Sequence, residues 1–409
     1  MYDVFEIRKQ FPMLQNKTMQ GKPLVYLDNA STTFKPQCVI DAINEYYKEY
    51  TANSHRGDYD LLYKVDTKID EARATMAKFF NCEPNEVVFT AGDTMALNLI
   101  AWGYGHKFLK PDDEIIIDVA EHASNTLPWY KIAELTGAKI KFAPLDEEGK
   151  ITIEGLASVI SNKTKIVALA ATTNVLGYTI DLKEFAKFVH KYNAIFVVDA
   201  AQYAPHHPVN FKDSDVDLLT ISGHKMCGPT GIGCLVGKYP LLEQMDAFLM
   251  GGGMNVDFDI TPDVEPLPAP RKFEAGTNNI AGILGLAKAA EFLMSLGMEN
   301  IQKHDEELFD YAINKLKDVK DIIIYNKNAR SGIISFNKQG VFAQDEATLL
   351  NSKGIAVRSG QHCAKNLHNY LKTKATVRAS FYLYTTKEEV DVLIDALING
   401  GDILDAYFN

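Results

Sequence analysis

Short apolar runs recur through the middle of the chain, at residues 114–119, 139–143, 166–171, 194–198, 216–221 and 232–236, with helical patterns such as 127–136 and 183–192 between most of them. Strands that are apolar throughout, rather than alternating, are covered on both faces. The pattern therefore predicts an α/β domain on a largely parallel sheet, which an earlier strand at 86–90 joins. In such a sheet functional groups gather beyond the carboxyl ends of the strands. Polar clusters stand at four of those places: Glu121-His122, Thr172-Thr173-Asn174, Asp199-Ala200-Ala201-Gln202 and Ser222-Gly223-His224-Lys225. Helix caps alone do not explain four of them.

The last cluster is the most chemical. Lys225 ends a buried strand and precedes the turn Gly228-Pro229-Thr230-Gly231. A partly desolvated lysine loses proton affinity and can form a Schiff base with a carbonyl. A surface lysine is the default reading, but its companions argue otherwise. Pyridoxal phosphate needs a lysine for its aldehyde, a carboxylate for its ring nitrogen and donors for its phosphate. Lys225 and Asp199 meet the first two needs, and Thr94, Ser222 and His224 are suited to the third. Thr94 lies in Ala91-Gly92-Asp93-Thr94, a turn from a strand into a helical pattern at 95–108, where free N–H groups attract anions. His122 is placed to stack on the ring and shuttle a proton.

Taken with Leu27-Asp28-Asn29-Ala30, Asn53-Ser54-His55-Arg56-Gly57, Thr173-Asn174-Val175-Leu176-Gly177, Phe273-Glu274-Ala275-Gly276-Thr277, Arg358-Ser359-Gly360-Gln361-His362-Cys363-Ala364 and Val377-Arg378-Ala379-Ser380, the chain resembles the class V, fold-type-I pyridoxal-phosphate enzymes. Within them it is most similar to the SUF-type cysteine desulfurases, and also to selenocysteine lyase. The resemblance runs from about residue 26 to 406. It implies a large domain with a mostly parallel seven-stranded sheet covered by helices, plus a smaller α+β C-terminal domain. It also implies that Lys225 carries the cofactor, Asp199 meets the ring nitrogen, Gln202 approaches the ring hydroxyl and His122 stacks. Thr94, Ser222 and His224 would hold the phosphate, with Thr277 reaching in from the second subunit of a homodimer. Asn174, Arg378, Arg358 and His55 are the implied substrate-binding residues, an arginine offering a carboxylate a planar two-point clamp.

The same resemblance gives Cys363 the role of nucleophile. Its thiolate would take sulfur from L-cysteine as a persulfide, leaving alanine, with His362 or Arg358 nearby to lower the thiol's pKa. The short spacing from Arg358 to Cys363 fits the branch in which an acceptor protein collects the sulfur, here for iron–sulfur cluster assembly. Selenocysteine lyase and aminotransferase activities share the cofactor site, and a non-catalytic sulfur-trafficking scaffold would share the fold. The chain departs from the family at Gly92-Asp93-Thr94-Met95, where Gly-Thr-Thr-Glu is common. An acid beside a phosphate is unfavourable unless Asp93 points away. Ala123 and Gln361 stand where some relatives carry histidine.

A chain of 409 residues exceeds what one hydrophobic core usually fills, so two domains are expected. Phe5, Ile7, Phe11 and Leu14 suggest an N-terminal helical arm over 1–20. The composition shift at Gly251-Gly252-Gly253 and the proline-rich stretch at 261–270, which reads as a mobile loop, precede a long helix near 280–296. The expected division is a cofactor domain at 21–278 and a small domain at 279–409 that carries Cys363 and ends in a helix at 387–404. A helix at about 60–80 is expected to turn Leu61, Val65, Ile69 and Ala72 to one side. A net charge of −11 argues against a general nucleic-acid or anionic-membrane surface. Five cysteines without paired metal-type spacing predict no metal site, and with a start unlike a signal peptide they point to the cytoplasm.

Overall fold

A computed structural model of the chain describes residues 2–54, 57–261 and 263–401. Its centre is a seven-stranded sheet of β1 (Val87–Thr90), β2 (Glu114–Asp118), β3 (Lys139–Ala143), β4 (Thr164–Ala170), β5 (Ile195–Asp199), β6 (Leu218–Ser222) and β7 (Gly233–Gly237). The strands lie in the order β1-β7-β6-β5-β4-β2-β3. Strands β6, β5, β4, β2 and β3 pair in parallel, whereas β7 runs antiparallel to β6 and to β1. Strands β1, β2, β4, β5 and β6 therefore all end at one edge. Most of their residues are buried, as sheets covered on both faces require.

One face of the sheet packs against α1 (Gln37–Glu49), α2 (Asp60–Phe80) and the helix Leu182–His190, and the other against α3 (Asp93–Ile100) and the helix Leu127–Thr136. Helix α2 buries Leu62, Val65, Ile69, Ala72, Met76 and Phe80, whereas Leu61 is exposed. The seam thus starts one residue later than expected, and 62-65-69-72-76-80 is the better helical spacing. Helix α4 (Ile280–Leu296) is apolar on nearly every side because it is wedged among core elements, packing on α1 and α2. No single described helix is long and apolar enough to cross a membrane.

The second sheet contains β8 (Ile322–Ile324), β9 (Ile333–Lys338), β10 (Arg358–Gly360) and β11 (Thr376–Ser380), antiparallel in the order β8-β9-β11-β10. Its core is closed by α5 (Met298–Leu316) and α6 (Lys387–Asn399). The continuation of α6 expected to 404 falls largely outside the described residues. An early segment is sewn to this unit: Val25–Tyr26 pairs in parallel with Ile355–Ala356, and Asp28 bridges to Ser380.

Two local expectations are corrected. The N-terminal helix covers only Val4–Arg8, capped by the Asp3 carboxylate, which accepts from the Phe5 amide at 3.0 Å. Pro12 and left-handed turns at Asn16 and Gln20 then redirect the chain into a small hairpin, Thr18–Met19 with Lys22–Pro23. The stretch read as a loop at 261–270 instead contributes Val264–Pro266 to a hairpin with Asn255–Phe258. That hairpin leaves Val256, Phe258 and Ile260 exposed.

Candidate active site

A cavity of about 280 Å3 lies where the carboxyl edge of the seven-stranded sheet meets β10 and β11. Its floor begins at the turn from β1 into α3. A Cβ on Gly233 would come within 2.3 Å of the Ile221 carbonyl and 2.7 Å of the Gly92 Cα, so only glycine lets this turn settle on β6 and β7. The Asp93 amide donates to Ser222 Oγ at 3.3 Å, and Thr94 Oγ1 lies 2.7 Å from Ser124 Oγ. Thr94, Ser222 and His224 thus surround the start of α3, where free amides favour an anion. The His224 ring is held neutral, its pKa pushed down to about 4 by burial and then by Lys225 and Lys35. The His224 carbonyl accepts from the Thr33 amide at 3.0 Å and Lys35 Nζ at 3.1 Å, which fixes the lysine-bearing loop.

Lys225 lines the cavity, and desolvation lowers the basicity of its amine against the opposing pull of Asp199 and Asp93. Asp199 is buried at the end of β5, with Oδ1 accepting from the Ala201 amide at 2.9 Å. Gln202 donates to the Ala30 carbonyl at 2.7 Å, while its Oε1 is buried with no partner in the chain. His122 Nδ1 accepts from the Ser124 amide at 3.1 Å, so the neutral ring carries its proton on Nε2. Burial, then Lys225, keeps that ring less basic than usual.

The opposite wall comes from the second sheet. Arg378, on β11, is buried and donates to the Asn174 carbonyl at 2.8 Å and Ser31 Oγ at 2.7 Å, with a longer contact of 3.4 Å to Asp28. Its Nε–H has no partner in the chain, nor has Asn174 Oδ1. Arg358 forks onto the Asp28 carboxylate at 3.0–3.2 Å. Cys363 is exposed and lines the same cavity. His362 and Cys363 both adopt left-handed backbone, at φ of 50° and 57°, a costly pair for non-glycine residues. The bend is held by two crossing bonds at 2.8 Å, Asn174 Nδ2 to the His362 carbonyl and the Ala123 amide to the Cys363 carbonyl.

The expected assistance of His362 to the thiol is not supported. Burial drives its pKa down to about 3, and its Nε2 engages Thr376 at 3.0 Å, so it carries no positive charge to offer. Thr277 is absent from the cavity and lines a separate recess with Ala91, Met95 and Gly231. His55 lies outside the described residues. Asp28, named above in a motif without a role, joins both arginines. Asp118, which ends the apolar run of β2, and Glu121, named above beside His122 without a role, are carboxyls buried beneath the site. Burial raises the pKa of Asp118 to about 7, and burial followed by Asp118 and Asp199 raises that of Glu121. Among the described residues no group of three or more His, Cys, Asp or Glu could hold a metal ion.

The unpartnered Gln202 Oε1, Asn174 Oδ1 and Arg378 Nε–H fit a ligand bearing both donors and an anionic group, as a pyridoxal-phosphate site with an amino-acid substrate requires. The model of the class V aminotransferase family matches residues 25–393, and the chain belongs to that family of pyridoxal-phosphate enzymes. Its relatives narrow the class. A probable cysteine desulfurase of Halalkalibacterium halodurans is 44% identical over 393 residues, 96% of each chain. One of Staphylococcus aureus is 42% identical over 399 residues, 97% of this chain and 96% of the relative. Among solved structures, the Escherichia coli cysteine desulfurase CsdA superposes with a TM-score of 0.91 at 35% identity, covering 98% of each chain. The apo cysteine desulfurase of Thermococcus onnurineus NA1 gives 0.91 at 34% identity, covering 97% of this chain and 98% of that one.

Proposed function

We propose that this chain is an L-cysteine desulfurase that passes sulfur from cysteine to Cys363 and on to an acceptor protein. The observation that carries the reading is the meeting of Lys225 and Cys363, from the two sheets, in one cavity. Pyridoxal phosphate, when bound, supplies an aldehyde for amines and a ring that draws electrons from the bonds at Cα. Thr94, Ser222 and His224 hold its phosphate, Asp199 keeps its ring nitrogen protonated, and Gln202 and His122 fix its ring. Lys225 anchors it and, as a neutral amine, takes and returns the Cα proton. Arg378 and Asn174 orient the substrate carboxylate, with Arg358 and His55 at the same end. The Cys363 thiolate attacks the substrate sulfur. An S–S bond forms as the C–S bond breaks, the electron pair stays with carbon, and protonation there gives alanine.

Residues 279–409 form the unit that brings Cys363 to a cofactor domain at 21–278. The enzyme works as a homodimer in the cytoplasm, with Thr277 completing the partner's phosphate site. The separation of Thr277 from its own cavity and the exposed apolar hairpin at 255–266 support that arrangement. An exposed Cys363 supports transfer to a protein thiol serving iron–sulfur cluster assembly.

The purified holoenzyme with cysteine and a reductant is expected to release alanine and sulfide in equal amounts. Cys363→Ala is expected to abolish both while the cofactor stays bound. Alanine formation undiminished in that variant would refute Cys363 as the acceptor.

A further inference from the structure

The reaction just derived does not use the carboxyl of Asp93, which follows Gly92 at the start of α3. The side chain is buried, at 6% exposure. It points away from the phosphate end of the site: Asp93 Oδ1 accepts from Thr220 Oγ1 at 2.5 Å, while its own amide meets Ser222, two residues further along β6. Thr220 in turn is the register partner of Asp199 on β5. A single threonine therefore separates the carboxyl of Asp93 from the residue assigned to the ring nitrogen.

Among the described residues no lysine, arginine or histidine forms an ion pair with Asp93. A buried carboxyl with one hydroxyl donor and no cation paired to it tends to shed its charge by keeping its proton. Two neighbouring carboxyls in low dielectric sharpen that outcome, because the second ionisation is opposed by the first. Asp199 is the member assigned to the ring nitrogen, whereas Asp93 faces only the Thr220 hydroxyl. Burial first, and then Asp199, raise the pKa of Asp93 to about 8, against the smaller opposing effects of Thr220 and Lys225. The core residues that β1 and β7 share with α3 are apolar. Glu121, whose carboxyl is held above the usual carboxylate range by burial, Asp118 and Asp199, is the further acid that faces Asp199. The cavity adds His122, His224, Lys225, His362 and Cys363 with the guanidinium groups of Arg358 and Arg378.

We propose that Asp93 is a positioning residue that carries the proton of an Asp93–Asp199 pair, keeping a single negative charge beneath the cofactor at neutral pH and adding a second when the pH rises. The added charge stabilises the protonated Schiff base on Lys225, so this chain holds its cofactor in that form to higher pH than it would without Asp93. The proposal rests on Lys225 as the cofactor lysine.

The test compares wild type with Asp93→Asn and Thr220→Val. Infrared difference spectra of the apoprotein at pH 7 are expected to show a protonated-carboxyl band that Asp93→Asn removes. Thr220→Val, which deletes the donor that favours ionisation, is expected to move loss of that band to higher pH. In the holoenzyme, the absorbance titration of the Schiff base is expected to fall by about one pH unit in Asp93→Asn, the scale of one unit charge acting across several ångströms of protein. A carboxyl band unchanged by Asp93→Asn, or a Schiff-base midpoint that does not move, overturns the proposal. Borohydride reduction and mass mapping locate the cofactor separately. A cofactor found elsewhere than on Lys225 overturns the assignment beneath the proposal, whereas the apoprotein band reports on Asp93 alone.

Discussion

Replacing Arg378 by lysine keeps the charge and removes the fork. The guanidinium is fixed by the Asn174 carbonyl at 2.8 Å and Ser31 Oγ at 2.7 Å, which leaves Nε–H as the buried donor without a partner. A lysine has three donors on one atom and cannot serve both anchors while presenting a planar edge to a carboxylate. The loss is of the order of one hydrogen bond to a charged group, about 1.5–3 kcal/mol. At about 1.4 kcal/mol per tenfold, KM for cysteine should rise roughly 10–150-fold. The carboxylate is bound alike in the ground and transition states, so kcat should change little. Alanine formation against cysteine concentration measures both, with cofactor absorbance confirming that Arg378→Lys still loads. A kcat that collapses at unchanged KM would show that Arg378 acts on the chemistry and not on the carboxylate.

Glu274→Gln should strip the counter-charge from buried Arg73, which it meets through paired bonds of 2.7 and 2.8 Å; breaking such a pair costs about 3–5 kcal/mol, visible as a lower Tm of the holoenzyme in calorimetry. Asp118→Asn should stabilise more at pH 8 than at pH 4. The wild-type carboxyl climbs from 3.8 to about 7 on folding, so its folded state loses stability as pH rises through that window and levels off above it. Thermal unfolding across the window checks this, and a pH-independent difference would exclude it. Gly233→Ala should push the Gly92 turn off β6 at a cost of about 1–3 kcal/mol and weaken cofactor retention, measured by dialysis of the holoenzyme.

The half of the site that hangs from the seven-stranded sheet was legible because its signals are local. Asp199, Ser222 and Lys225 each follow an apolar run, and the parallel pairing of β5 with β6 brings the ends of those runs together. The other half depends on contacts across hundreds of residues. Asp28 gathers Arg358 and Arg378 from 330 and 350 positions away, so its turn-like neighbourhood reads as a cap and hides its partners. Local pattern also misleads at the chain's start, where apolar spacing suggests a helix but Pro12 and the turn at Asn16 end it after Arg8. Leu61 fails for a related reason: periodicity fixes the repeat of a helix but not its phase when two leucines adjoin.

The bend at His362-Cys363 depends on both halves. Neither residue is glycine, and two successive left-handed conformations are not locally stable in such residues. The bend persists because Ala123, just past His122 on the first sheet's edge, and Asn174, past β4, each hold one of its carbonyls. The residues that flank the Lys225 cavity are thus the ones that shape the Cys363 loop. Asn174→Ala should therefore do more than weaken substrate binding. It frees the His362 carbonyl and relaxes the bend, so alkylation of Cys363 in the substrate-free holoenzyme should change in rate. Asn174→Asp, which cannot donate to that carbonyl, should do the same, and an unchanged rate in both would show that the bend is held without Asn174.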